Sequence, residues 1–209
     1  MKKSIAGLLA LLVLACCLAG CGGEPVDLSG RWESVSYYDP DSVTANLESM
    51  DLYAEEIALL DPGAMGVCDI MILNDDMTYV MTSDAEKSMA LAEEYYRNAF
   101  ATFYENREQL QEVYGGNFSG MTEEEFNQFY ADLYGAPDFD ALVSFFVGSA
   151  EDYAYLEEPL ETGTYRLMLN MIYFTADDTG TEEYVTFRVA DGALTLEFED
   201  STITYAKSE

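Results

Sequence analysis

Apolar and polar residues alternate in two separate stretches of this chain, and between them they recur at helical spacing. The period of two dominates residues 28–82, apart from one helical run, and 160–209, and the period near 3.6 covers 83–159. The first alternating run is Gly30 to Tyr38, and Asp39-Pro40-Asp41 is expected to stop it. Val43, Leu47, Met50, Ala54 and Ile57 then fall three or four apart, which predicts one helix over Ser42–Leu60 closed by Asp61-Pro62-Gly63. Val67–Leu73 and Thr78–Met81 flank Asn74-Asp75-Asp76, a polar turn, and predict a hairpin.

The C-terminal part repeats this pattern. Gly163–Tyr165 and Met171–Thr175 read as strands, and Val185, Phe187 and Val189 share one face of Glu182–Val189. Asp191-Gly192 is a two-residue hairpin turn in which Gly accepts a positive φ. Leu194, Leu196 and Phe198 alternate after it, and a last strand carries Ile203 and Tyr205. The total is about eight strands joined mostly by short connections, the number at which a sheet closes into a small barrel.

The middle segment predicts three helices. Met89, Ala92, Tyr96, Ala99, Phe103, Leu110 and Val113 form one stripe over Ala85–Tyr114, ended by Gly115-Gly116. A straight helix of that length spans about 45 Å and has to project or bend against a small barrel. Thr122-Glu123-Glu124-Glu125 is a capping box opening a second helix, with Phe126, Phe129, Tyr130 and Leu133 inward. Gly135-Ala136-Pro137 ends it, and Asp138 caps a third carrying Leu142, Val143, Phe145 and Phe146. The fold class is therefore α+β: a small antiparallel β-barrel over 28–82 and 160–209 with a helical insertion at 83–159, either a subdomain or a lid on the barrel mouth.

The N-terminus changes the picture of where this fold resides. Met1-Lys2-Lys3 is basic, Ile5–Ala15 is an apolar run too short to span a bilayer permanently, and Leu18-Ala19-Gly20-Cys21 follows. These four residues resemble the bacterial lipobox, which implies cleavage before Cys21, lipid on its sulfur and a protein held at the extracytoplasmic face of a cell membrane. Residues 1–20 are then a signal peptide and 21–27 a short tether. Several acyl chains on one residue anchor firmly.

Cysteine and charge counts exclude much else. Cys16 and Cys17 leave with the leader and Cys21 carries lipid, so Cys68 stands alone and no internal disulfide is expected. It lies in an apolar strand, where a buried, inert thiol is expected. With no His in the chain, Ser-His and Cys-His nucleophiles and most zinc sites are ruled out. From Cys21 onward seven Lys or Arg face forty Asp or Glu, a net charge of −33. Nucleic acid and anionic membrane surfaces are poor partners for such a chain. Asp75-Asp76, Asp138-x-Asp140 and Asp177-Asp178 suit turns better than a calcium loop, since none has the EF-hand spacing. No catalytic motif, metal site or cofactor is expected.

Leu28-Ser29-Gly30-Arg31-Trp32 resembles the G-x-W opening of the calycin barrels. The series Gly163-Thr164-Tyr165, Asp191-Gly192-Ala193-Leu194 and Thr204-Tyr205 resembles the strands of lipocalin-like lipoprotein domains of bacterial surfaces. The resemblance implies a Trp closing one barrel end and a barrel that binds a ligand. The expected function is non-catalytic binding of a small apolar or amphipathic ligand inside the barrel, gated by the insertion. The alternative is a protein-interaction module of the cell envelope that uses the acidic, Tyr-rich helices. Candidate binding residues are Trp32, Tyr96, Phe103 and Tyr130.

Overall fold

The computed structural model describes residues 26–208. They form eight strands: β1 (Gly30–Tyr37), β2 (Gly66–Leu73), β3 (Thr78–Ser83), β4 (Glu161–Met168), β5 (Met171–Ala176), β6 (Glu182–Ala190), β7 (Ala193–Glu197) and β8 (Thr202–Ser208). Each pairs antiparallel with the next, and β8 returns to β1 through Arg31–Ser208, Trp32–Lys207 and Glu33–Ala206, closing the barrel.

Antiparallel closure sorts the connections to two ends. The β2–β3, β4–β5 and β6–β7 turns gather at the end where β1 begins. The long β1–β2 and β3–β4 connections both leave the opposite end, and both are helical. The first holds α1 (Pro40–Ser49) and α2 (Ala54–Ile57). The second holds α3 (Ala85–Glu105), α4 (Arg107–Tyr114), α5 (Glu123–Leu133), α6 (Phe139–Val147) and α7 (Ala150–Tyr153). Val43 and Leu47 of α1 share one core with Phe100, Phe103, Phe126, Tyr130 and Phe146. The helical layer is therefore built from two insertions, because emergence at one barrel end lets both bury their apolar faces together.

A second core fills the barrel. Pairing puts Trp32 beside Met71, Leu73 beside Tyr79, Tyr165 beside Phe174, Ile172 beside Val185 and Phe187 beside Leu196, all facing inward. Trp32 Nε1 donates to Leu28 O at 2.8 Å, so the buried indole is satisfied. Gly163 sits where a Cβ would lie 2.1 Å from Thr175 O and 2.8 Å from the Tyr79 ring, so the strand tolerates no side chain there.

Several local expectations need correction. Ser42–Leu60 is two helices, not one. Asp39 accepts from Ser42 N at 3.0 Å, so it caps α1 with Pro40 in the first turn, and the dipeptide read as a stop is a start. The break comes at Asp51 (φ +62°), beyond which Glu56 turns inward and accepts from Tyr53 N at 2.8 Å. The long helix also breaks, at Asn106, whose Nδ2 donates to Thr102 O. Arg107 follows, stacked 4.3 Å from the Tyr104 ring centroid and donating to Tyr104 O and Phe118 O. The change of direction buries Leu110 completely. Leu133, expected inward, and Phe145 and Phe198, which share the apolar stripes of their segments, are exposed: Leu133 is the last residue of α5, Phe145 lies in the last turn of α6 and Phe198 follows the end of β7. The Thr122 capping box and the Asp138 cap form as expected.

Candidate functional site

α3 starts on the edge of the sheet. β3 ends at Ser83, so Cys68 of β2, paired with Val35 of β1, has no partner on its β3 side; Asp84 N donates to Cys68 O at 2.8 Å and Cys68 N donates to Ser88 Oγ at 3.0 Å. The first turn of the helix thus continues the ladder. Asp84 caps the helix through Lys87 N. Arg31 Nη2 reaches Asp84 Oδ2 at 2.8 Å, Arg31 Nε reaches Glu33 Oε1 at 2.9 Å, and Lys87 pairs with Glu33. Lys87, then Arg31, holds the Glu33 carboxyl down at about 2. The four-residue charge network fixes the start of α3 to the outer wall of β1.

Beyond this network, helix and barrel wall diverge and enclose a cleft of about 470 Å³. Val35 and Tyr37 of β1 form one side, Leu91, Tyr95 and Ala99 of α3 the other, and Leu59, Leu60 and Asp61 close the end. A Cβ on Gly66 would lie 3.0 Å from Val35 Cγ1 and 3.6 Å from Leu91 Cδ1, so glycine lets these two walls approach at the floor. A neighbouring hollow of about 560 Å³ shares Val35, Leu91 and Glu94, and continues past Cys68, Ala90, Ala193 and Ala206. Both volumes lie in the range of small-molecule sites.

Tyr95 gives the cleft its chemistry. The residue is 8% exposed, and its hydroxyl is buried without a hydrogen-bond partner. Burial, then the nearby Asp61 charge, pushes its phenol up to about 12, so it keeps its proton and can donate. Asn98, Thr102 and Glu94 add polar groups along the same helix face. Asp61 is partly committed, since its Oδ1 accepts from Gly63 N at 3.0 Å. The arrangement offers an apolar floor with polar groups on one wall, suited to an amphipathic molecule.

The residues singled out from the sequence do not meet in one place. Trp32 lies inside the barrel. Phe103 and Tyr130 lie in the helical core, where Tyr130 Oη donates to Glu56 Oε1 at 2.5 Å. Tyr96 lines a separate hollow of about 360 Å³ with Tyr38, Met50, Phe146 and Tyr153, and its hydroxyl contacts Met50 Sδ at 3.6 Å. Cys21 lies outside the described residues. Cys68 is a buried free thiol, pushed up chiefly by burial. The paired acids make local or cross-strand hydrogen bonds: Asp76 accepts from Thr78 N in a turn, Asp138 caps a helix by accepting from Ala141 N, and Asp177 accepts from Thr162 Oγ1 across β4 and β5.

Comparison with protein-family models, curated proteins and solved structures gives no match to this chain. Among the described residues no helix is long and apolar enough to cross a membrane. The reading of the site therefore stands on its own geometry. The cleft was missed from the sequence because it lies on the outer wall of the barrel. A signal was present: Val35 and Tyr37 are apolar on the strand parity opposite to Trp32, so β1 carries apolar residues on both faces.

Proposed function

We propose that this protein is an exported, lipid-anchored binding protein that takes up a small amphipathic molecule without transforming it. The lipobox-like Leu18–Cys21 segment supports the anchor and the extracytoplasmic address. We put the ligand in the cleft between α3 and the β1 wall, not in the barrel lumen. The lumen holds buried Trp32, Tyr79, Tyr165, Phe174 and Phe187, which fill the width an eight-stranded barrel provides. The lipocalin-like resemblance accords with a binding role, although closed barrels of this kind serve unrelated ligands.

One observation carries the reading: Tyr95, whose buried hydroxyl has no hydrogen-bond partner, lines a ligand-sized cleft. Such a group costs about 1–3 kcal/mol when left unpaired, and a bound ligand that accepts its hydrogen bond removes that cost. An apolar fluorescent amphiphile titrated into the soluble chain tests this. Leu91→Trp, which fills the cleft, is expected to abolish saturable binding while Trp32→Phe in the barrel leaves it. The reverse pattern would return the ligand to the lumen.

The interaction-module reading draws on a different feature. Phe145 is 58% exposed on α6, beside Tyr134 with ring centroids 5.9 Å apart. If Phe145→Asp, and not Leu91→Trp, removes the protein's association with envelope components, that reading displaces ours.

A further inference from the structure

Two hairpin turns of the barrel contain residues that turn chemistry does not explain. Met77 (φ +65°) ends the β2–β3 turn and Leu169 (φ +57°) begins the β4–β5 turn. Both occupy the left-handed region, which glycine and asparagine fill routinely and large apolar side chains avoid. Both side chains also face solvent; Leu169 is 83% exposed, and its neighbour Met168 is exposed as well. Strained and solvated apolar residues at turn tips serve neither local conformation nor the core, so they point to something outside the chain.

The topology says what lies outside. These turns sit at the barrel end where β1 begins, and so does Val26, the first described residue, which is exposed too. Cys21 is five residues further back, a reach of roughly 17 Å fully extended. This end of the barrel is within that distance of a bilayer holding the Cys21 lipid. The helical layer leaves the opposite end.

Resting on the anchored reading above, we propose that the tether-side end of the barrel docks on the bilayer, with Leu169, Met168 and Met77 entering the boundary between headgroups and acyl chains. Asp27, Asp75, Asp76 and Asp191 outnumber Lys207, which lies beside the Asp191–Gly192 turn at the same end, so the surface is net acidic and suits zwitterionic and not anionic headgroups. The barrel then stands end-on, and the cleft beside α3 opens toward the outer medium.

The test uses the full chain, its Cys21 lipid verified by intact mass, in phosphatidylcholine vesicles. Dilute peroxide converts exposed methionine to sulfoxide, read by peptide mass spectrometry. Met77 and Met168 are expected to oxidise about threefold or more slowly in wild type than in lipidated Leu169→Asp, with Met121 of the helical layer unchanged. Leu169→Asn suits the turn and should expose the two methionines equally, and protection of fully buried Met71 reports that each variant is folded. Equal rates in all three proteins overturn the docking. Protection that rises with the protein-to-lipid ratio assigns the tips to a second copy and overturns it also. An unlipidated Cys21 overturns the anchor itself, and this orientation with it, and the intact mass reads that outcome separately.

Discussion

Replacing Glu56 by alanine is expected to unfasten the two helical insertions from one another. Glu56 is fully buried on α2, in the β1–β2 insertion. Its Oε1 accepts from Tyr114 Oη at 2.7 Å and Tyr130 Oη at 2.5 Å, on helices of the β3–β4 insertion, and its Oε2 accepts from Tyr53 N at 2.8 Å. Alanine leaves two phenols without their acceptor, at about 1–3 kcal/mol each, and adds a small cavity; Tyr53 N, at an exposed position, can turn to water. The sum is about 3–5 kcal/mol. For a domain of this size each kcal/mol lowers Tm by about 2–4 °C, so Glu56→Ala should melt roughly 10 °C below wild type. Glu56→Gln keeps one oxygen for the phenols but turns an amide donor toward the Tyr53 N–H, and should lose about half as much. Urea unfolding followed by far-ultraviolet circular dichroism reports the helices, and Trp32 fluorescence reports the barrel. Tyr130→Phe combined with Glu56→Ala should cost less than the two single changes summed, since both remove one hydrogen bond. A Glu56→Ala protein within about 1 kcal/mol of wild type would refute the reasoning.

Gly163→Ala should cost several kcal/mol or prevent folding, because the new methyl would overlap the Thr175 carbonyl oxygen; chemical denaturation of the purified variant, or its absence from the soluble fraction, checks this. The buried phenols of Tyr96, Tyr114 and Tyr130 are held well above the ordinary 10.0, first by burial. Their protons are bound more tightly folded than unfolded, so stability is full below pH 10 and falls as pH rises beyond it. Urea midpoints on either side of that pH should show the decline, and Tyr130→Phe should flatten it. Tyr95→Phe removes an unsatisfied hydroxyl, so the free protein should be as stable as wild type or slightly more so, whereas amphiphile binding weakens.

Much of the frame was legible because strand alternation and turn chemistry agree locally. Asp191-Gly192 joins β6 to β7, and Thr122 and Asp138 open α5 and α6 where their side-chain acceptors predict. Helix continuity was not legible. The stripe through Ser42–Leu60 is nearly unbroken, yet the chain leaves the helix at Asp51 so that Glu56 can reach two tyrosines far along the sequence. The break at Asn106 serves Leu110 and Arg107 in the same way. Tertiary partners decided both, and spacing does not encode them. The merger of two insertions follows from strand parity, which sends both connections to one barrel end. The candidate residues Tyr96, Phe103 and Tyr130 follow the aromatic periodicity, and periodicity selects the buried face. A cleft lies where that face stops, which is why Tyr95, one position from Tyr96, lines it.

Native mass spectrometry of the chain released gently from its own membranes tests the central claim most directly. The account predicts a retained small-molecule adduct on wild type that is absent from Leu91→Trp and weakened in Tyr95→Phe, both variants folding normally. An adduct that survives Leu91→Trp and disappears when the barrel interior is altered would contradict it.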